Sequence, residues 1–153
     1  MPPFRAFLLS AFLLPFSACQ ILGPDDPDTN SVSDHRAKFE AQYGRSYSFN
    51  VMRGCFCVNG GEHWVQVGDG QVVFALRVYD NQPVLADQLE WLETMDEVFD
   101  MIERAETEAD RLEITWSDEG YPAEFFIDWI EEAVDDEMGM TISNVIAGIQ
   151  LRD

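Results

Sequence analysis

Basic residues are scarce in this chain. Nine lysines and arginines stand against 29 aspartates and glutamates, for a formal net charge of −20, and Lys38 is the only lysine. A surface of that sign repels phosphate backbones and anionic headgroups, which removes nucleic acid from the candidate partners. Basic proteins, divalent cations or a salty habitat are compatible with it. Histidine is also rare, with only His35 and His63. His35 sits beside a polar, acidic stretch, which leaves His63 as the one candidate base. No serine lies in the strand-turn-helix setting of a nucleophile elbow, so a hydrolytic triad has no support. No glycine-rich phosphate loop occurs either, because Gly60-Gly61 and Gly70 read as hairpin turns. The chain has three cysteines, Cys19, Cys55 and Cys57. Long apolar runs are missing. The run from Ala6 to Phe16 is too short to cross a bilayer as a helix.

That run follows Arg5 and ends in Ser17-Ala18-Cys19, the layout of a secretory leader. Phe16-Ser17-Ala18-Cys19 resembles a bacterial lipobox, in which cleavage leaves a lipid-carrying cysteine at the new N-terminus. Residues 1–18 are therefore expected to be a lipoprotein signal peptide, with Cys19 the lipidation site and the membrane a partner through that anchor. Gln20 in place of an aspartate after the cysteine favours the periplasmic face of the outer membrane. Loss of residues 1–18 removes one arginine and no acid, which takes the charge to about −21. Residues 19–34, rich in Pro, Asp, Ser and Asn, are expected to form a flexible acidic tether. Asp26, Asp28 and Asn30 mimic the opening of a calcium loop, but Ser31 and Ala37 stand where its glycine and bidentate glutamate belong, so the stretch reads as linker.

Residues 35–153 are expected to form a single domain, enough chain for one core and too little for two. Ala37, Phe39 and Ala41 mark a short helix over Val32 to Gln42 that Gly44 ends. Alternation from Tyr47 to Cys57 predicts a long strand, Trp64 to Val67 a second and Val72 to Tyr79 a third, joined by turns at Asn59-Gly60-Gly61 and Asp69-Gly70. Asp80 to Glu93 reads as an irregular stretch packed on the core. Thr94-Met95-Asp96-Glu97 fits a capping box, with Val98, Phe99, Ile102 and Ala105 following at helical spacing. Strands are expected again at Leu112–Trp116, Phe125–Trp129 and Thr141–Leu151. The expectation is an α+β fold, a six-stranded antiparallel sheet with helices on one face, in the order helix, three strands, helix, three strands. That order points to an architectural duplication, with no repeat at residue level.

Several pieces, taken in order, resemble the bacterial, largely exported family called domain of unknown function 6174. They are the Tyr47-x-Phe49 strand running to Cys55-Phe56-Cys57, the Val65-x-Val67-x-Asp69-Gly70-x-Val72 hairpin and the Met95-Asp96-x-Val98-Phe99-x-x-Ile102 helix. The turn Gly120-Tyr121-Pro122 leading to Ile127-Asp128, and Asp136-Glu137 before the last strand, complete the set. The likeness spans Tyr43 to Ile149. It carries over no activity, and it gives no role to Trp64, Trp91 or Trp129.

Cys55 and Cys57 lie two apart on a strand and project from one face, near the upper limit of disulfide reach. An oxidising envelope favours a Cys55–Cys57 bond, with packed free thiols as the other structural reading. The functional alternative gathers Cys55, Cys57 and His63 around copper or zinc, although a fourth ligand is not evident. A catalytic dithiol lacks the helix N-terminus that would stabilise its thiolate. The acidic run Asp128, Glu131, Glu132, Asp135, Asp136 and Glu137 reads as a solvated turn before it reads as a cation site. With no complete catalytic set, the leading expectation is a non-enzymatic, cofactor-free envelope lipoprotein that binds another protein or a ligand. A copper or zinc module is the alternative, and an enzyme using acidic side chains the weaker third class.

Overall fold

The computed structural model describes residues 31–54, 60–133 and 135–150. The leader, Cys19, the tether through Asn30 and the pair Cys55 and Cys57 lie outside the described residues. Helix α1 runs Val32–Tyr43, so it takes in Val32, Ser33 and Asp34 from the stretch assigned to the tether. Its start is fixed by Ser31, whose hydroxyl accepts from the Asp34 amide while the Asp34 carboxylate accepts from the Ser31 amide. Val32, His35 and Phe39, at helical spacing, are its buried side chains.

Strands β1 (Tyr47–Gly54), β2 (Gly61–Gly68), β3 (Gln71–Arg77) and the short β4 (Gln82–Pro83) come next, followed by a 3₁₀ helix over Ala86–Trp91. Helix α2 (Met95–Glu108) then leads to β5 (Arg111–Trp116), β6 (Pro122–Asp128) and β7 (Met138–Ala147). One antiparallel sheet holds all seven strands in the order β4-β3-β2-β1-β7-β6-β5. The fold is α+β, as the sequence indicates, but with seven strands in place of six. The extra strand and the 3₁₀ helix come from the stretch read as irregular. Two residues cannot display a period, and Pro83 belongs on a sheet edge because it has no N–H to donate. The last strand starts at Met138, earlier than alternation indicated, and ends at Ala147.

The sheet order also corrects the idea of a duplicated unit. The strand after α1 lies at the centre of the sheet, whereas the strand after α2 lies at its far edge. The second meander therefore runs inward and the first outward, so the two share element order without sharing topology. Six gaps of about 4.8 Å make the sheet roughly 29 Å wide. Helix α2, with 14 residues, covers about 21 Å of the crossing from one edge to the other.

Both helices contact Tyr47, which places them on one face. The Phe39 ring meets Tyr47 at 5.1 Å, and the Tyr47 hydroxyl accepts from the Met95 amide at 2.8 Å. The helices cover an apolar stripe of alternate strand residues that includes Phe49, Val65, Phe125, Ile127 and Ile142. Each such side chain contributes about 1.5–3 kcal/mol through burial. In α2 the residues predicted for the inner face, Val98, Phe99, Ile102 and Ala105, are all buried, and the Thr94 to Glu97 capping box forms. None of the helices among the described residues is long and apolar enough to cross a membrane.

The β5–β6 turn is pressed against α1 at Gly120, whose φ is +97°. A Cβ there would sit 2.8 Å from the His35 carbonyl oxygen and 3.0 Å from the Lys38 Cβ. At Gly44, with φ of +63°, a Cβ meets open space. Gly120→Ala is therefore expected to destabilise the protein by about 2–4 kcal/mol, and Gly44→Ala by about 1 kcal/mol. Urea unfolding of the two variants measures the difference, and equal losses would contradict the docking of this turn.

Candidate functional site

The stripe on the covered face of β1 reads Tyr47, Phe49, Val51 and then Arg53. A charged residue in that register enters the protein interior, and burial disfavours its charged form. Arg53 has a side chain only 9% exposed, and it forms an ion pair with Glu93, which joins the 3₁₀ helix to the cap of α2. The pair ties the end of β1 to the start of α2. Neither the Arg53 Nε nor its Nη2 makes a hydrogen bond among the described residues, so the contact with Glu93 is an ion pair alone.

His63 lies beside this pair. It sits on β2 opposite Val51 on one side and Arg77 of β3 on the other, and is 3% exposed. Burial lowers its pKa from the ordinary 6.5, the positive charges of Arg53 and Arg77 add to that, and the Gly61 backbone opposes it. The ring is accordingly neutral at pH 7, and its Nδ1 has no partner among the described residues. Arg77 is itself held in a two-contact ion pair with Asp80 at 3.0 and 3.3 Å. The other histidine, His35, is buried in α1 and stacks on Trp116 with ring centroids 3.9 Å apart. Burial and Lys38 lower its pKa, which also leaves it neutral. It belongs to the packing between α1 and β5.

Of the candidates for a metal site, only His63 is among the described residues, with Cys55 and Cys57 outside them. Among the described residues no group of three His, Cys, Asp or Glu side chains has metal-binding geometry. In the acidic run, burial raises the Asp128 pKa, and Asp136, Glu137, Asp110 and Glu131 raise it further. The Glu131 amide donates to Asp110 at 2.9 Å, which holds the start of that turn against β5.

The second feature is the sheet face turned away from the helices. Antiparallel register places Ser48, Asn50 and Met52 of β1 beside Glu62, Trp64 and Gln66 of β2 on this face, followed by Phe74 and Leu76 of β3. Asn144, with φ of +53°, interrupts the pairing of β1 with β7, and Ile146 then stands opposite Ser48. Trp64 meets Phe74 edge to face at 6.2 Å. Met52, Phe74 and Ile146 are exposed, as are neighbouring Val73 and Ile149, whereas Ser48, Trp64, Gln66 and Leu76 on the same face are buried. Glu62 is the one carboxylate among these residues, and the Asn50 side-chain amide donates to it at 2.8 Å. In a chain of net charge −20, this face carries little charge and several exposed apolar side chains.

Sequence reasoning passed over the Arg53–Glu93 pair. Its trace was present, since an arginine in phase with Tyr47, Phe49 and Val51 must find a buried acid. The apolar open face left a weaker trace, because Met52, Trp64 and Phe74 are spread over three strands. Glu93→Gln is expected to cost about 3–5 kcal/mol by leaving the Arg53 charge buried and uncompensated. Replacing both, Arg53→Met with Glu93→Leu, should recover most of that loss in the same thermal or urea unfolding measurement. A Glu93→Gln loss under 1 kcal/mol would show the pair to be solvated.

The model of a family described as a family of unknown function, DUF6174, matches residues 31–147. No curated protein and no solved structure matches the chain.

Proposed function

The chain belongs to the DUF6174 family, and on that premise we propose a role read from its own surface. It is a non-enzymatic binding module of the bacterial cell envelope, held at the membrane by a lipid on Cys19, and it recognises another envelope protein. The observation that carries this reading is the set of exposed apolar side chains Met52, Val73, Phe74, Ile146 and Ile149 around the buried Trp64, on the sheet face opposite the helices. Several large apolar side chains exposed together on one face mark interaction sites. The acidic coat elsewhere keeps the protein soluble and leaves this face as the place of least desolvation cost.

A second reading, a copper or zinc module using Cys55, Cys57 and His63, draws on one observation. His63 Nδ1 is buried and has no partner among the described residues. Against it stand the Arg53 and Arg77 guanidinium groups, whose positive charge reaches the same ring and would repel a cation. Elemental analysis of the purified protein decides between the two, since stoichiometric copper or zinc would overturn the first reading.

The first reading predicts the outcome of site-directed photo-crosslinking in intact envelopes. A photoreactive phenylalanine analogue at Met52 or Ile146 should yield a discrete crosslinked species, and the same probe at Glu106, on the exposed side of α2, should not. Palmitate incorporation should be lost in Cys19→Ala, and the crosslink should weaken with it. Crosslinks from Glu106 alone would contradict the assignment of the face.

A further inference from the structure

Strand β3 is longer than the strand that pairs with its outer edge. Strand β4 covers only Leu76 and Arg77, and the Val84 amide donates to the Ala75 carbonyl at 2.9 Å just before the chain departs into the 3₁₀ helix. From Gln71 to Phe74 the outer edge of β3 receives no backbone hydrogen bond from the described residues. Gln71, Val73 and Phe74 are exposed. Unpaired strand edges of this kind are templates for another chain, and proteins ordinarily blunt them with charge, proline or a covering loop. Here the edge itself carries Gln-Val-Val-Phe, with no charge and no proline.

Beside this edge is a cleft of about 510 Å³. It is lined by Gln71 and Val72 of β3, by Leu89 and Glu90 of the 3₁₀ helix, and by Glu97 at the start of α2. Its volume lies within the usual range for ligand sites, about 300–1,000 Å³. Val72, Leu89 and Leu92 give it apolar lining, and the charged groups that line it, Glu90 and Glu97, are both negative. Leu85 and Trp91 are large, exposed apolar side chains on the flanking segment.

We propose that this cleft binds an extended segment of a partner protein, which adds as a strand along Gln71–Phe74. The segment alternates apolar residues with lysine or arginine. Its backbone satisfies the vacant edge, its apolar side chains enter between Val72 and Leu89, and its cations meet Glu90 and Glu97. This inference rests on the binding-module reading above and supplies its chemistry. Charge complementarity selects the occupant. A second copy would bring its own Glu90 and Glu97 against these, and the chain's own Pro24-Asp25-Asp26-Pro27-Asp28 is acidic and cannot donate from its prolines.

The test uses the purified protein and a set of fluorescein-labelled, end-blocked octapeptides that alternate Lys or Arg with Val, Leu or Tyr. Glu-for-Lys counterparts and versions N-methylated at alternate amides serve as controls. Anisotropy should show binding by the basic set, weakened by added salt, about five-fold weaker in Glu90→Lys, and lost on N-methylation or charge reversal. Amide NMR shifts should centre on Gln71–Phe74. Binding that survives N-methylation, with shifts centred on Met52 and Ile146, would overturn strand addition while leaving the binding-module reading intact. Failure of the whole basic set to bind would overturn the proposal. So would sedimentation showing a concentration-dependent dimer that Glu90→Lys strengthens.

Discussion

The pairing of β1 with β7 is the contact on which the rest of this protein depends. Those strands come from opposite ends of the folded chain, and their register, Val51 against Ile142 and Arg53 against Met140, joins two meanders into one sheet. Without that seam, neither the four strands on one side nor the three on the other have enough apolar area to seat both helices. With it, Tyr47, Phe49 and Val51 line up with Met140, Ile142 and Phe125 on a single face, and α1 and α2 close over that face together. The cost is a high loop-closure entropy, because the seam brings together residues nearly a hundred positions apart.

Covering only one face has consequences for the other. The second side of an antiparallel sheet with helices on one side is ordinarily polar, and here Ser48, Trp64, Gln66 and Leu76 are buried on it while Met52, Phe74 and Ile146 are exposed. The β5–β6 half follows that rule, with Glu113 opposite Phe126 and Thr115 opposite Glu124. The β1–β3 half departs from it through Met52, Trp64, Phe74 and Val73. The same asymmetry marks the edges, because β4 stops after two residues and leaves part of β3 unpaired. Apolar face and vacant edge thus lie in the same half of the sheet, on either side of Phe74. The Arg53–Glu93 ion pair lies in this half as well and ties β1 to the start of α2.

Much of the architecture was legible in the sequence, and the reasons are local. Helix α2 announced itself through a capping box and a clean helical period, and β1, β2, β3, β5 and β6 through alternation against a half-buried surface. Strand β4 and the 3₁₀ helix were not legible, since elements that short carry no period and are held by contacts made elsewhere in the chain. The early start of β7 was hidden by Met138 and Gly139, which belong to the sheet through pairing with Ile127 and Phe126 and not through propensity. The suspected duplication shows the limit of element order, because only the sheet order reveals that one meander grows outward and the other inward. At the site, His63 was singled out as a possible ligand, while its neighbours Arg53 and Arg77 were not, and those charges alter what the imidazole can hold.

Native-state hydrogen exchange, followed residue by residue, tests the central seam most directly. If β1 and β7 hold the two halves together, their amides exchange last, through one common opening, and the amides of β2 and β6 approach the same free energy. A β5–β6–β7 unit that opens while β1, β2 and β3 stay protected would contradict the account, because the sheet would then be two separable halves and its open face would not be one surface.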